Sequence, residues 1–160
     1  MNATTKGLLI MQGYSEADIC DCKNITALAR WTPSACALAG TLGVLFRSPV
    51  AMAVLGLLTL IGAVTSRSFF DYLYIFLVKP VMNLGEMPLH GNPRRFGCAI
   101  GAALFTLTGI GLFIGNAWLT YVPALTIIPL ALVAALTQWC FASALYAMLR
   151  NHNSAAAERR

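Results

Sequence analysis

Residues 96–115 read FGCAIGAALFTLTGIGLFIG, a run without a single charged side chain. A helix of this length is about 30 Å long, which matches the hydrocarbon core of a bilayer. Outward from it, three further apolar runs cover residues 31–46, 50–66 and 119–149. The sequence therefore predicts an all-α integral membrane protein, built as a bundle of four transmembrane helices.

The composition of the whole chain supports this class. Of its 160 residues, 58% are hydrophobic and 11% are charged. A soluble domain carries about 25% charged residues and needs them to cover its surface. A soluble fold and intrinsic disorder are both excluded. The net charge of +5 comes from Lys and Arg placed between apolar runs rather than from a basic stripe, so no nucleic-acid partner is expected.

The positive charges predict the orientation. When four spans are drawn, every Lys and Arg except Arg47 falls on one side of the membrane. By the positive-inside rule, we expect the segment 1–30 and the tail 150–160 to lie in the cytoplasm, with the membrane domain at 31–149 between them.

Small residues mark the faces on which membrane helices approach each other closely. We expect helix packing at six glycines, which are Gly40, Gly43, Gly97, Gly101, Gly111 and Gly115. Gln138 is the most polar side chain within a predicted span, and we expect it to form a hydrogen bond inward. It is interpreted as a structural amide, with ligand contact as the alternative.

The loop between the second and third spans contains a further helix. Ser68 followed by Asp71 is a capping-box pattern, and it opens the aromatic run 69–78, which is too short to cross the membrane. We expect this helix to lie in the inner interface and to end at Lys79 and Pro80. Lys79, Arg94 and Arg95 are expected to contact lipid phosphates or to dock a partner.

All five cysteines are predicted on the cytoplasmic side or in the inner half of the bilayer. They are Cys20, Cys22, Cys36, Cys98 and Cys140. A reducing cytoplasm argues against stable disulfides. Three interpretations stay open: buried packing residues, a soft metal held at Cys20 and Cys22, or thiols that handle sulfur or redox equivalents. No other cofactor is predicted.

Two motifs resemble a bacterial membrane family, domain of unknown function 4395. The segment Pro93-Arg94-Arg95-Phe96 is similar to the family's entry to its third helix. Residues 139–146, WCFASALY, resemble a late motif with two cysteines, in which Cys140 and Tyr146 match and Ser143 replaces the second cysteine. The resemblance covers residues 24–150 and implies a bacterial inner membrane as the location. It also implies sulfur or thiol handling, because some members are encoded beside thioredoxin-like and sulfurtransferase proteins.

No catalytic constellation is visible, and the predicted spans contain no ionisable side chain between their ends. The sequence therefore favours a non-catalytic accessory or scaffold subunit, held in lipid and acting with a membrane or cytoplasmic protein. The alternative is a sulfur- or thiol-handling protein with a cytoplasmic thioredoxin- or sulfurtransferase-like partner. Small-solute transport is the third interpretation, and only Gln138 and the glycine seams support it.

Overall fold

A computed structural model describes residues 3–16, 19, 25–65, 67–82 and 91–158, and every regular element within them is helical. The elements are α1 (Ala3–Met11), α2 (Ile25–Leu45), α3 (Pro49–Val64), α4 (Phe69–Leu73), a π-helical turn (Tyr74–Val78), α5 (Lys79–Met82), α6 (Asn92–Ile114), α7 (Ala117–Thr137) and α8 (Phe141–Glu158). The predicted all-helical fold is confirmed for these residues.

Among the described residues, two helices, α6 and α7, are long and apolar enough to cross a bilayer, which indicates a membrane protein. A third span exists only if α3 and residues 69–76, which are bent from each other by 93°, count as one. The predicted bundle of four spans is thus not confirmed. The helix α2 carries Arg30 near its start, and α3, at about 24 Å, is shorter than the hydrocarbon core.

The structure divides the single span predicted over 119–149. The helix α7 ends at Thr137, and α8 begins at Phe141. Between them Gln138 has a φ of 59°, in the left-handed region, where an α-helix cannot continue. Pro123 and Pro129 both lie inside α7. The break therefore comes from the conformation of Gln138 rather than from either proline.

Close helix contacts occur at four of the six predicted glycines. A Cβ added to Gly40 would lie 2.8 Å from the Phe105 ring, and one on Gly111 would lie 2.5 Å from the backbone of Leu119. Gly43 and Gly97 likewise face Met52 and Ala142 closely.

The other two glycines do not make such contacts, which corrects the prediction. The nearest atom to a Cβ on Gly101 is 4.0 Å away, on Ile127. Gly115 ends α6 with a φ of 76° and has nothing within 4 Å. Its role is to terminate a helix, since glycine adopts this left-handed conformation without steric cost.

The helix that follows Ser68 is anchored to α2. Ser68 is its N-cap residue, and Oδ2 of Asp71 accepts the backbone N–H of Ser68 at 2.6 Å. The indole N–H of Trp31 donates to the carbonyl oxygen of Phe70 at 2.9 Å. Helical structure continues through Lys79 and Pro80 to Met82, beyond the predicted end.

Candidate functional site

A cavity of about 330 Å³ lies between α2, α6, α7 and the start of α8. Most of its wall is apolar, from residues such as Ile100, Leu104 and Leu130. Its polar lining is short and distinctive: Gln12, Thr32, Cys36, Thr59, Arg94, Cys98, Thr126, Cys140 and Ser143. Such a cavity, with few polar groups in an apolar wall, is typical of small-molecule sites.

Three elements each bring one cysteine to this cavity. Cys36 lies in α2, Cys98 in the second turn of α6, and Cys140 immediately before α8. All three are free thiols, and Cys98 is close enough to interact electrostatically with both others. The sequence placed them at similar depth but did not predict that they meet. Cys20 and Cys22 lie outside the described residues.

The two neighbouring arginines have different surroundings. Both terminal nitrogens of Arg94 are buried at the cavity, and no hydrogen-bond partner for them occurs among the described residues. Its guanidinium lies 5.3 Å from the centre of the Tyr14 ring, as a cation–π contact. Arg95 instead donates from Nε to the carbonyl of Ala63 at 3.0 Å and from Nη2 to that of Val64 at 2.6 Å, so it caps the end of α3.

Lys79, the third predicted docking residue, begins α5 and is half-buried, and the cavity wall does not include it. The structure thus separates the three basic side chains that the sequence grouped. Arg94 alone belongs to the cavity.

The break between α7 and α8 is fixed by long-range hydrogen bonds. Gln138 is 3% exposed, and its Nε2 donates to the carbonyl oxygen of Thr26 at 3.0 Å. The backbone carbonyl oxygen of Gln138 accepts a hydrogen bond from Nε2 of Gln12. Gln138 is therefore a buried structural residue of a helix break, where the sequence placed it inside a helix. Ser143, three residues beyond Cys140, is buried, and its hydroxyl has no partner within the described part of the chain.

Sequence reasoning missed two ionisable side chains inside the fold. Asp71 is fully buried, and its Oδ1 accepts the hydroxyl of Thr32 at 2.9 Å. It interacts electrostatically with Cys36 and Cys98, as Arg94 does with Cys98 and Cys140. The predicted spans themselves contain no ionisable side chain, but Asp71 and Arg94, which lie outside them in the sequence, carry buried polar atoms within the fold. The available signal was that Asp71 is the only acidic residue between positions 22 and 85.

The described residues contain no group of three His, Cys, Asp or Glu side chains that could hold a metal ion. The soft-metal interpretation rested on Cys20 and Cys22, which lie outside those residues. What the cavity offers chemically is three thiols, a guanidinium with free donors and a serine hydroxyl.

A family model described as "Domain of unknown function (DUF4395)" matches residues 26–151. The chain belongs to this family. Both motifs that resembled DUF4395 border the cavity, the first through Arg94 and the second through Cys140 and Ser143. The two motifs also contact each other, because the rings of Phe96 and Tyr146 lie 5.8 Å apart. No curated protein and no solved structure shows significant similarity to this DUF4395 member.

Proposed function

We propose that this protein is a membrane-embedded thiol protein, which accepts sulfane sulfur from a cytoplasmic donor and passes it on. The observation that carries the proposal is the convergence of Cys36, Cys98 and Cys140 on one cavity from three separate elements. A cysteine used only for packing needs an apolar contact and no second thiol. Three thiols that share one cavity can exchange a sulfur atom without leaving it.

The proposed step is a thiol-to-thiol transfer. A donor persulfide, R–S–SH, meets a cavity thiol, the outer sulfur moves to the cysteine sulfur, and R–SH leaves with the proton that the cysteine gave up. The products are R–SH and Cys–S–SH, so atoms and electrons balance without an added oxidant. The attacking species is the thiolate, and burial raises the pKa of the Cys36 thiol, so Cys36 is not the first acceptor.

The orientation is part of the proposal. Arg94 and Arg95 lie at the beginning of α6, and the sequence has no Lys or Arg from 96 to 149. With α6 and α7 as spans, the positive-inside rule puts the start of α6 and the end of α7 in the cytoplasm of a bacterial inner membrane. The cavity lies beside these ends, so the donor approaches from the cytoplasm.

Direct persulfidation tests this function. The protein is purified in detergent with Cys20→Ser and Cys22→Ser, so that only the cavity thiols remain, and is treated with inorganic polysulfide. We expect the intact mass to increase by one or more sulfur atoms and to return with dithiothreitol. The matched control adds Cys36→Ala, Cys98→Ala and Cys140→Ala, and it should gain no sulfur.

A Cys20→Ser, Cys22→Ser protein that gains no sulfur from polysulfide would contradict the proposal. It would also return the cavity cysteines to the packing role that the scaffold interpretation gives them. Under that interpretation, a cell that carries the cysteine-free protein grows like the wild type on any sulfur source.

A further inference from the structure

Arg94 lacks a counter-charge within the described residues. Its electrostatic neighbours there are the thiols of Cys98 and Cys140. Glu16 pairs with Lys6 at 3.0 Å, and Asp71 is bound by Thr32 and Ser68. A buried cation without a paired anion is far more costly than a buried neutral group. The buried charge of the Arg94 guanidinium is therefore best balanced by an anion from outside the described residues.

Ser143 supplies a second, independent sign of a missing acceptor. Its buried hydroxyl lines the same cavity and has no partner in the described ranges. A hydroxyl can donate one hydrogen bond, and a guanidinium can donate two parallel ones to an oxyanion. Burial without such a partner is rare for either group.

Two helices also begin at this place. The first turns of α6, with Arg94, and of α8, with Ser143, both line the cavity. The N-terminal end of a helix carries a partial positive charge, which favours anions. The helix ends, the guanidinium and the hydroxyl all attract the same kind of ligand.

We propose that the cavity binds a small organic anion, whose oxyanion head is held by Arg94 and Ser143 and whose apolar body packs against Ile100, Leu104 and Leu130. The body follows from size: the cavity of about 330 Å³ is far larger than a bare oxyanion, and most of its remaining wall is apolar. This site goes beyond the thiol function, because binding the anion requires no cysteine.

The experiment measures thermal unfolding of the purified full-length protein in detergent during titration with alkanesulfonates, against sodium chloride at equal ionic strength. We expect sodium butane-1-sulfonate to raise the unfolding midpoint in a saturable way. Sodium ethanesulfonate should bind roughly tenfold more weakly, because each buried methylene contributes about fourfold in affinity. Sulfonates have no transferable sulfur, so this result is separate from persulfidation.

Three variants locate the site. Arg94→Gln should abolish the response, and Ser143→Ala should weaken binding about tenfold, since it removes one hydrogen bond to a charged group. Arg30→Gln is the matched control: it removes the same charge from an exposed position and should leave the titration unchanged. A wild-type protein that responds no more to sulfonates than to chloride would overturn the proposal, as would an equal response in Arg94→Gln.

A last comparison asks whether the chain supplies its own anion, since Asp18, Asp21 and Glu86 lie outside the described residues. In sulfonate-free buffer, Arg94→Gln should unfold at the same temperature as the wild type or higher, because it removes an uncompensated buried charge. If Arg94→Gln unfolds at a lower temperature, and Asp18→Asn, Asp21→Asn or Glu86→Gln reproduces the loss, the counter-ion is internal and the ligand site is rejected.

Discussion

At the scale of single residues, Asp71 links two helices through buried hydrogen bonds. It is fully buried, it accepts hydrogen bonds from the Ser68 backbone and the Thr32 hydroxyl, and it thereby joins α4 to α2. A buried donor that loses its acceptor costs about 1–3 kcal/mol, which is more than a hydrogen bond contributes when both partners are present. Asp71 is thus a structural link beside the thiols.

Replacing Asp71 with leucine should destabilise the protein strongly. The change leaves the Ser68 N–H and the Thr32 hydroxyl buried without an acceptor, so we expect a loss of about 2–5 kcal/mol in the free energy of unfolding. Chemical denaturation in detergent, followed by tryptophan fluorescence, measures it. Tyr72→Leu changes the next, exposed position of the same helix and should cost far less. Equal losses would show that helix formation, not the hydrogen bonds, is affected.

Residue types and spacing predicted one of the two hydrogen bonds that Asp71 accepts. The pair Ser68 and Asp71 indicates a helix start, and Asp71 does bond the Ser68 N–H. The partner Thr32, 39 positions away, has no local signal. Arg94 and Arg95 show the same limit of sequence-based prediction, because a count of charges treats the two residues alike. Adjacent side chains of a helix point about 100° apart, so Arg94 faces the cavity and Arg95 caps α3.

At the scale of elements, the distance to the neighbouring helix separates two kinds of glycine that the sequence analysis assigned alike to helix packing. The turn between α6 and α7 brings Gly111 against the backbone of Leu119, which cannot relax in the way that a flexible side chain can. Gly101 lies on the cavity wall, with space before it. A stripe of small residues predicts a helix contact, but it does not tell an interhelical contact from a cavity lining.

The variants Gly111→Ala and Gly101→Ala should therefore differ. A Cβ on Gly111 would lie 2.5 Å from Leu119 and must displace the α6–α7 turn, so we expect a loss of about 1–3 kcal/mol. A Cβ on Gly101 meets Ile127 at 4.0 Å, an ordinary contact, and should be nearly neutral. Thermal unfolding of both variants in one detergent compares them. A neutral Gly111→Ala would contradict the close packing of this turn.

Apolar runs predicted where helices form, but they did not predict where the last run is interrupted. The left-handed conformation of Gln138 is held by Gln12 and Thr26, from two other parts of the chain. Nothing within 119–149 encodes these contacts. Pro123 and Pro129 lie in the same run, but both are inside α7 and before the break.

At the scale of the whole molecule, two helices carry the membrane assignment, and the surface agrees with it. Large apolar side chains such as Phe113 and Trp118 are about four-fifths exposed, as expected for residues that face lipid or its boundary. The meeting of Cys36, Cys98 and Cys140 also belongs to this scale. It depends on tertiary packing, which one sequence does not reveal.

Labelling of single cysteines should report the orientation. On a cysteine-free background in spheroplasts, we expect a membrane-impermeant maleimide to label Trp118→Cys from outside and Ala155→Cys only after lysis. Trp118 lies in the first turn of α7, at the end that the proposed orientation puts outside, and residue 155 lies beyond the basic end of the last apolar run. Labelling of position 155 in intact spheroplasts would reverse the predicted orientation and move the donor to the other side.

The break at Gln138 also determines the order in which the molecule is completed. Its carbonyl oxygen is bonded by Gln12, made 126 positions earlier, and its amide bonds Thr26, 112 positions earlier. A ribosome has therefore finished α1, α2 and both long apolar helices before these bonds can close. Leu9 of α1 can pack against Ile25 and Ala29 of α2 early, whereas Gln12, just beyond α1, must wait for the break at Gln138.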